Sequence, residues 1–115
     1  MRFHHYGLEV DNIEESVAFY KKHLGLQEEN RIFFMGEEIV FLAAGDLRIE
    51  LISNQSEDKY AHICFEVNDL KEVINQFGGH RKIEGPYKLE NGWETIFYEG
   101  PNKEVVEFLQ VRPVP

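Results

Sequence analysis

Apolar and polar residues alternate along several short stretches of this chain and recur at helical spacing along two others. HHYGLEV (4–10) and AHICFEV (61–67) read as strands, and each runs into a short Asp/Asn pair. A Glu follows three residues after Asn12 (Glu15) and after Asp69 (Glu72), the capping-box spacing that opens a helix. Ile13, Val17, Tyr20 and Leu24 then form one helical face, and Leu70, Ile74 and Phe77 the other. The first helix is predicted to stop near Gly25 and the second at Gly78-Gly79, where glycine can take the left-handed C-cap. Three further strands follow each helix, near 29–35, 38–43 and 47–53, then near 86–90, 94–99 and 104–111. The polar stretch Asn54–Lys59 links the two sets, and Arg112–Pro115 reads as a loose tail.

The two sets are copies. Residues 5–13, HYGLEVDNI, match residues 62–70, HICFEVNDL, at a shift of 57. The same shift pairs Glu15 with Glu72, Val17 with Ile74 and Tyr20 with Phe77. It also pairs Glu37, Ile39, Val40 and Phe41 with Glu94, Ile96, Phe97 and Tyr98, and Ile49-Glu50-Leu51 with Val106-Glu107-Phe108. One ungapped register therefore serves both ends of the unit. The expected fold is α+β: a single domain, 1–115, of two tandem βαβββ units at about 1–54 and 60–112. Their helices lie outside a cupped, barrel-like mixed sheet.

Strand alternation says which side chains enter the cup. Leu8 and Val10 must pack on the helix, so His5, Gly7 and Glu9 face away from it, as do His62, Cys64 and Glu66 in the second copy. In the last strand of each unit, Ile49 and Leu51, or Val106 and Phe108, are the packing face, which leaves Glu50 and Glu107 on the other. A carboxylate between two apolar neighbours is costly to bury unless its charge is compensated. A divalent cation would compensate both. Two imidazoles and two carboxylates suit octahedral Ni, Co, Fe or Mn, or Zn with expanded coordination, and leave two positions for water or substrate oxygens.

Each residue also has a plainer reading. A strand Glu can be ion-paired, with Arg48 or Arg112 as partner, and a strand His can be a hydrogen-bonded packing residue. The repeat is what ties the four into one set. His4, His23 and His80 are expected at the surface, and Cys64 is expected to fill space rather than act as a nucleophile.

Composition narrows the field further. The formal net charge is −9, with 12 basic residues against 21 acidic ones, so the basic footprint of a nucleic-acid binder is missing. The single cysteine leaves no internal disulfide framework and suits a reducing compartment. No apolar run approaches the roughly 18 residues of a membrane span, and the N-terminus, MRFHHYGLEV, lacks an apolar signal segment. A cytoplasmic, membrane-free protein acting on a small molecule is the expectation.

The chain resembles the vicinal oxygen chelate superfamily, which includes glyoxalase I, methylmalonyl-CoA epimerase, extradiol dioxygenases, fosfomycin-resistance enzymes and bleomycin-binding proteins. His5-Tyr-Gly-Leu-Glu-Val-Asp, Phe19-Tyr20, Leu24-Gly25-Leu26, Ile49-Glu50-Leu51, His62-Ile63 and Glu107-Phe108 carry the resemblance. The His, Glu, His, Glu set at His5, Glu50, His62 and Glu107 is most similar to small bacterial glyoxalase I. That likeness implies one divalent metal per site and isomerisation of a thiol–aldehyde adduct through an ene-diolate. Glu107 is the first candidate for moving the proton and Glu50 the second. It also implies a homodimer, since units in this superfamily pair edge to edge within or between chains, and an exposed edge invites pairing.

Two positions depart from glyoxalase I. Glu9 stands where the family carries an Arg against a glutathione carboxylate, and Gly100-Pro101-Asn102-Lys103 replaces its Asp-Pro-Asp-Gly turn. Asn54 does match a glutathione-contacting Asn. Glu9, Asn54, Cys64 and Trp93 are the residues expected to touch substrate. The competing expectations are a non-catalytic protein that sequesters a small molecule or antibiotic, with Phe33, Phe34 and Trp93 as its aromatic lining, and an epimerase or dioxygenase of the same superfamily.

Overall fold

A computed structural model describes residues 1–78 and 81–112. The order is β1 (Arg2–Val10), α1 (Ile13–Leu24), β2 (Gln27–Phe34), β3 (Glu37–Ala44) and β4 (Leu47–Ser53). It continues with β5 (Ala61–Glu66), α2 (Leu70–Phe77), β6 (Lys82–Lys88), β7 (Glu94–Glu99) and β8 (Val105–Gln110). This is βαβββ twice over, in the α+β class that the sequence predicts.

In the first copy β1 runs parallel to β4, and β4, β3 and β2 follow antiparallel, in the order β1-β4-β3-β2. The second copy repeats the plan as β5-β8-β7-β6. The chain divides into two compact units, one of residues 5–61 and one joining residues 1–4 to those from His62 on. The first residues of β1 thus belong to the second unit.

Both helices start and stop where local chemistry directs. Asn12 accepts a hydrogen bond from the Glu15 backbone N–H at 3.0 Å, and Gly25 ends α1 at φ 70°. Asp69 caps α2 by accepting from the Lys71 N–H, and Gly78 ends it at φ 61°. Gly79, the other half of the predicted stop, lies outside the described residues, as do the last three of the predicted tail.

Each helix lays its apolar stripe on one face of its own sheet. Ile13 and Val17 pack with Val40, Leu42, Ile49 and Leu51, with Leu8, Val10 and Tyr20 at the margin. Leu70 and Val73 pack with Ile96, Tyr98 and Phe108, with Ile74 and Phe77 beside them. Complete burial of such a side chain contributes roughly 1.5–3 kcal/mol. Leu24 is a correction: it is 57% exposed, and Leu26 is fully buried in its place. The left-handed turn at Gly25 redirects the chain before the helical face can use Leu24.

Strand β6 starts four residues before its predicted position. Its pairing with β7 is broken by register shifts around Gly85-Pro86, a dipeptide that reads as a breaker in sequence. Within the described residues β6 pairs only through β7 in its unit, and an edge strand tolerates Pro.

The repeat is not ungapped. Gly7 faces Glu50 as Cys64 faces Glu107, which keeps the 57-residue shift in the first and last strands of each unit. However, Phe41 faces Glu50 while Phe97 faces Glu107, so β7 follows β3 at a shift of 56. The extra residue sits in the last hairpin. Gly45-Asp46 alone joins β3 to β4, whereas Pro101, Asn102 and Lys103 lie inside the Gly100–Glu104 hydrogen-bonded pair. Lys103 takes φ 68°, the left-handed residue of a three-residue hairpin loop. Burial agrees with the slip: Val40 and Ile96 are both fully buried, and so nearly are Leu42 and Tyr98.

Candidate metal centre

Parallel pairing of β1 with β4 sets Gly7 opposite Glu50. His5, two residues earlier on the same face, therefore reaches the carboxylate along the strand. Its Nε2 lies 3.3 Å from Glu50 Oε1, with both side chains at least nine-tenths buried. The Phe41 ring meets the His5 ring edge-on, with centroids 5.4 Å apart.

The second unit repeats the arrangement. His62 Nε2 lies 3.0 Å from Glu107 Oε1, and Phe97 stands edge-on to His62 at 6.0 Å. Glu107 has one contact that sequence reasoning missed. The buried Thr95 hydroxyl donates to Glu107 Oε2 at 2.5 Å, in the range of a charge-assisted O–H···O⁻ bond. Its sequence signal is an uncharged polar residue at the start of the apolar run Ile96-Phe97-Tyr98, concealed by the shift of 57 that aligns it with Glu38.

Each pair joins a borderline nitrogen to a hard oxygen, the mixture that divalent first-row cations accept. With ligand bonds of about 2.1 Å, neighbouring corners of an octahedron lie about 3.0 Å apart, so the spacing within each pair fits such an ion. The same spacing brings each imidazole nitrogen within reach of its carboxylate. Arg48, considered above as a partner for a strand Glu, instead binds Glu29 through Nε at 2.8 Å.

His4 is a correction. It was expected at the surface but is 5% exposed, with its ring edge-on to Trp93 at a centroid distance of 5.5 Å. Strand alternation predicts that it turns away from His5. The side it turns to is covered, because residues 1–4 pack in the second unit. His23 is exposed as expected, and His80 lies outside the described residues. Cys64 is fully buried, in keeping with a space-filling role.

Of the expected substrate contacts, Glu9 and Asn54 engage each other. Asn54 Nδ2 donates to Glu9 Oε1 at 2.8 Å, and the Tyr60 backbone N–H donates to the same oxygen at 2.9 Å. Asn54 Oδ1 accepts from the Ser56 N–H at 2.9 Å. Burial and the neighbouring Glu9 charge together push the Glu37 carboxyl above its ordinary range. Trp93 is half-buried against His4, and Phe33 is exposed at the β2–β3 hairpin.

Comparison with known proteins shows the family of the chain. The chain is 32% identical over 127 residues to the lactoylglutathione lyase of Neisseria meningitidis, covering 96% of this chain and 91% of the relative. It is 30% identical over 125 residues to the uncharacterized protein YwbC of Bacillus subtilis, covering 95% and 97%. Among solved structures, hypothetical protein BH1468 of Bacillus halodurans superposes at TM-score 0.81 with 22% identity, over 99% of this chain and 96% of that one. Methylmalonyl-CoA epimerase of Mycobacterium tuberculosis follows at 0.79 with 16% identity, over 97% and 89%; at such identities the likeness is one of fold. The family model "Glyoxalase/Bleomycin resistance protein/Dioxygenase superfamily" matches residues 2–112, and the chain belongs to that superfamily.

Proposed function

We propose that this protein is a metal-dependent lyase or isomerase of the glyoxalase I type, acting on a thiol–aldehyde adduct or a related small carbonyl compound. The observation that carries the reading is the recurrence of one buried His–Glu pair in each unit: His5 with Glu50, and His62 with Glu107. The two pairs together supply four ligands to one divalent ion of Ni, Co, Zn, Mn or Fe. When bound, the ion would polarise a substrate oxygen and lower the cost of forming an enediolate-like charge. A carboxylate then moves the proton, Glu107 as first candidate and Glu50 as second. Similarity to a lactoylglutathione lyase over nearly the whole chain supports this class.

The thiol partner is proposed to differ from glutathione. An Arg at position 9 would meet a glutathione carboxylate, whereas Glu9 presents a like charge and engages Asn54. We place the protein in the cytoplasm as a homodimer with two equivalent sites. No helix among the described residues is long and apolar enough to cross a membrane.

Elemental analysis of protein purified without chelator, followed by a panel of thiol–aldehyde adducts with added Ni, Co, Zn or Mn, tests the reading. Stoichiometric metal and turnover of an adduct support it. Tight binding of an adduct without turnover favours a sequestering protein instead. Mixing His5→Ala with His62→Ala subunits shows whose ligands make a site. Partial recovery of activity means that pairs from two chains combine, and no recovery means that one chain supplies all four.

A further inference from the structure

The two carboxylates of the proposed ligand set sit at equivalent positions, yet the residues behind them differ in kind. Strand β3 presents Ile39 opposite Ile52, and β7 presents Thr95 opposite Leu109. Ile52 and Leu109 are equivalents at the shift of 57, so Thr95 occupies the place of Ile39. Both are buried, at 2% and 6% exposure. Ile39 has no proton to give. Thr95 gives its own to Glu107 Oε2, and the opposite carboxylate oxygen, Oε1, is the one directed at His62 Nε2 at 3.0 Å.

We infer that Thr95 is a positioning residue that makes Glu107 a one-oxygen ligand: by holding Oε2 it leaves Oε1 alone to face a divalent cation. The inference rests on the metal-binding reading given above. Its physical basis is that a carboxylate with neither oxygen engaged can rotate to offer both, whereas one tied through Oε2 at 2.5 Å must break that bond first. The Phe108 carbonyl, 3.1 Å from Thr95 Oγ1, is a second acceptor for the same single proton, and the 2.5 Å distance to Glu107 Oε2 makes the carboxylate the nearer of the two. The one-residue slip of β7 delivers Thr95 to this spot. Under an ungapped repeat, Glu94-Thr95-Ile96 would sit one place further along the strand and Ile96 would back Glu107.

The test uses Co(II) as the probe, with affinity measured by competition against a chromogenic chelator and geometry read from the Co(II) d–d absorption. Thr95→Val keeps the shape and removes the hydroxyl, Thr95→Ser keeps the hydroxyl, and Ile39→Val is the matched change in the other unit. Thr95→Val is expected to weaken Co(II) binding about 10–100-fold, the usual cost of losing an outer partner of a ligand, and to alter the d–d bands. Thr95→Ser should restore both affinity and spectrum, and Ile39→Val should leave both as in wild type. Should Thr95→Val not fold, Thr95→Ala set against Thr95→Ser carries the same contrast.

Wild-type affinity and spectrum in the folded Val or Ala variant would overturn the role of Thr95, while His5→Ala and His62→Ala still losing Co(II) would show the metal reading intact. Folded wild-type protein that binds no Co(II) would overturn the metal reading, and the inference with it.

Discussion

The two units are built to one plan, and the contrast between them separates what the fold needs from what the site needs. What both keep is the His–Glu pair between the first and last strands, with a phenyl ring edge-on to each imidazole. What they do not share is the surroundings of that pair. Gly7 lies opposite Glu50 and Cys64 opposite Glu107, while Ile39 in β3 holds the register position from which Thr95 in β7 donates to Glu107. A scaffold requirement alone would not retain two buried imidazole–carboxylate pairs, because well-packed apolar residues of similar volume hold a core at least as well. The shared part supports the proposed metal site, and the divergent part the role inferred for Thr95.

The largest effect should come from removing half of what the units share. His5→Ala and His62→Ala are each expected to strip most of the metal from purified protein, beyond the roughly 10–100-fold that loss of an outer partner costs. Elemental analysis after dialysis measures it. His4→Ala is the sharpening control. It removes the ring contact with Trp93, worth about 0.5–1.5 kcal/mol, and lowers the unfolding midpoint while leaving metal content unchanged. Equal metal loss in His4→Ala and His5→Ala would place the wrong face of β1 at the site.

A smaller effect distinguishes the cores. Leu42 and Tyr98 occupy equivalent positions under the shift of 56, and both are almost wholly buried. Leu42→Ala should cost about 2–5 kcal/mol, as expected for a cavity at a fully packed leucine. Tyr98 is packed on Phe77 with centroids 4.3 Å apart, and its buried hydroxyl finds no hydrogen-bond partner among the described residues. Burial alone raises the Tyr98 pKa, in line with an oxygen cut off from water. Tyr98→Phe should therefore be neutral or stabilise by up to about 1–2 kcal/mol, read from urea denaturation at constant m. A loss of that size would mean that the hydroxyl has a partner.

Much of this was legible in the sequence because local chemistry and the repeat agree. The caps at Asn12 and Asp69, the left-handed stops at Gly25 and Gly78, and the strand positions 47–53 and 94–99 follow from residue types that leave few alternatives. The slip in β7 was not legible. Ile39-Val40-Phe41-Leu42 and Ile96-Phe97-Tyr98 are apolar in either register, so the pattern cannot choose between shifts of 57 and 56. Only the partner strand and the longer hairpin decide it, and with it the location of Thr95. The burial of His4 was hidden for a similar reason: alternation says which way a side chain turns but not what stands there.

The smallest effect concerns Glu9 and Glu66, equivalents at the shift of 57 that are held by different means. Glu9 accepts from Asn54 and from the Tyr60 N–H, neutral donors both, whereas Glu66 binds the Arg2 guanidinium at 2.7 Å. Burial alone would raise the Glu66 pKa. The hydrogen bond and charge of Arg2, with smaller help from the charges of His4 and Arg112, outweigh that and hold it below the ordinary carboxylate value of 4.5. A depressed folded pKa contributes stability above the unfolded value, and that contribution is lost as pH falls through the folded one. Arg2→Ala should therefore lower the unfolding midpoint slightly at pH 7, and the gap to wild type should close in acid below 4.5 as Glu66 protonates. Because Arg2 is well exposed, added salt should shrink the gap at pH 7 as well. Asn54→Ala, which removes an uncharged donor from Glu9, should produce a deficit that salt barely changes. A salt-sensitive deficit in Asn54→Ala with a salt-insensitive one in Arg2→Ala would reverse the assignment of charged and neutral clamps to the two units.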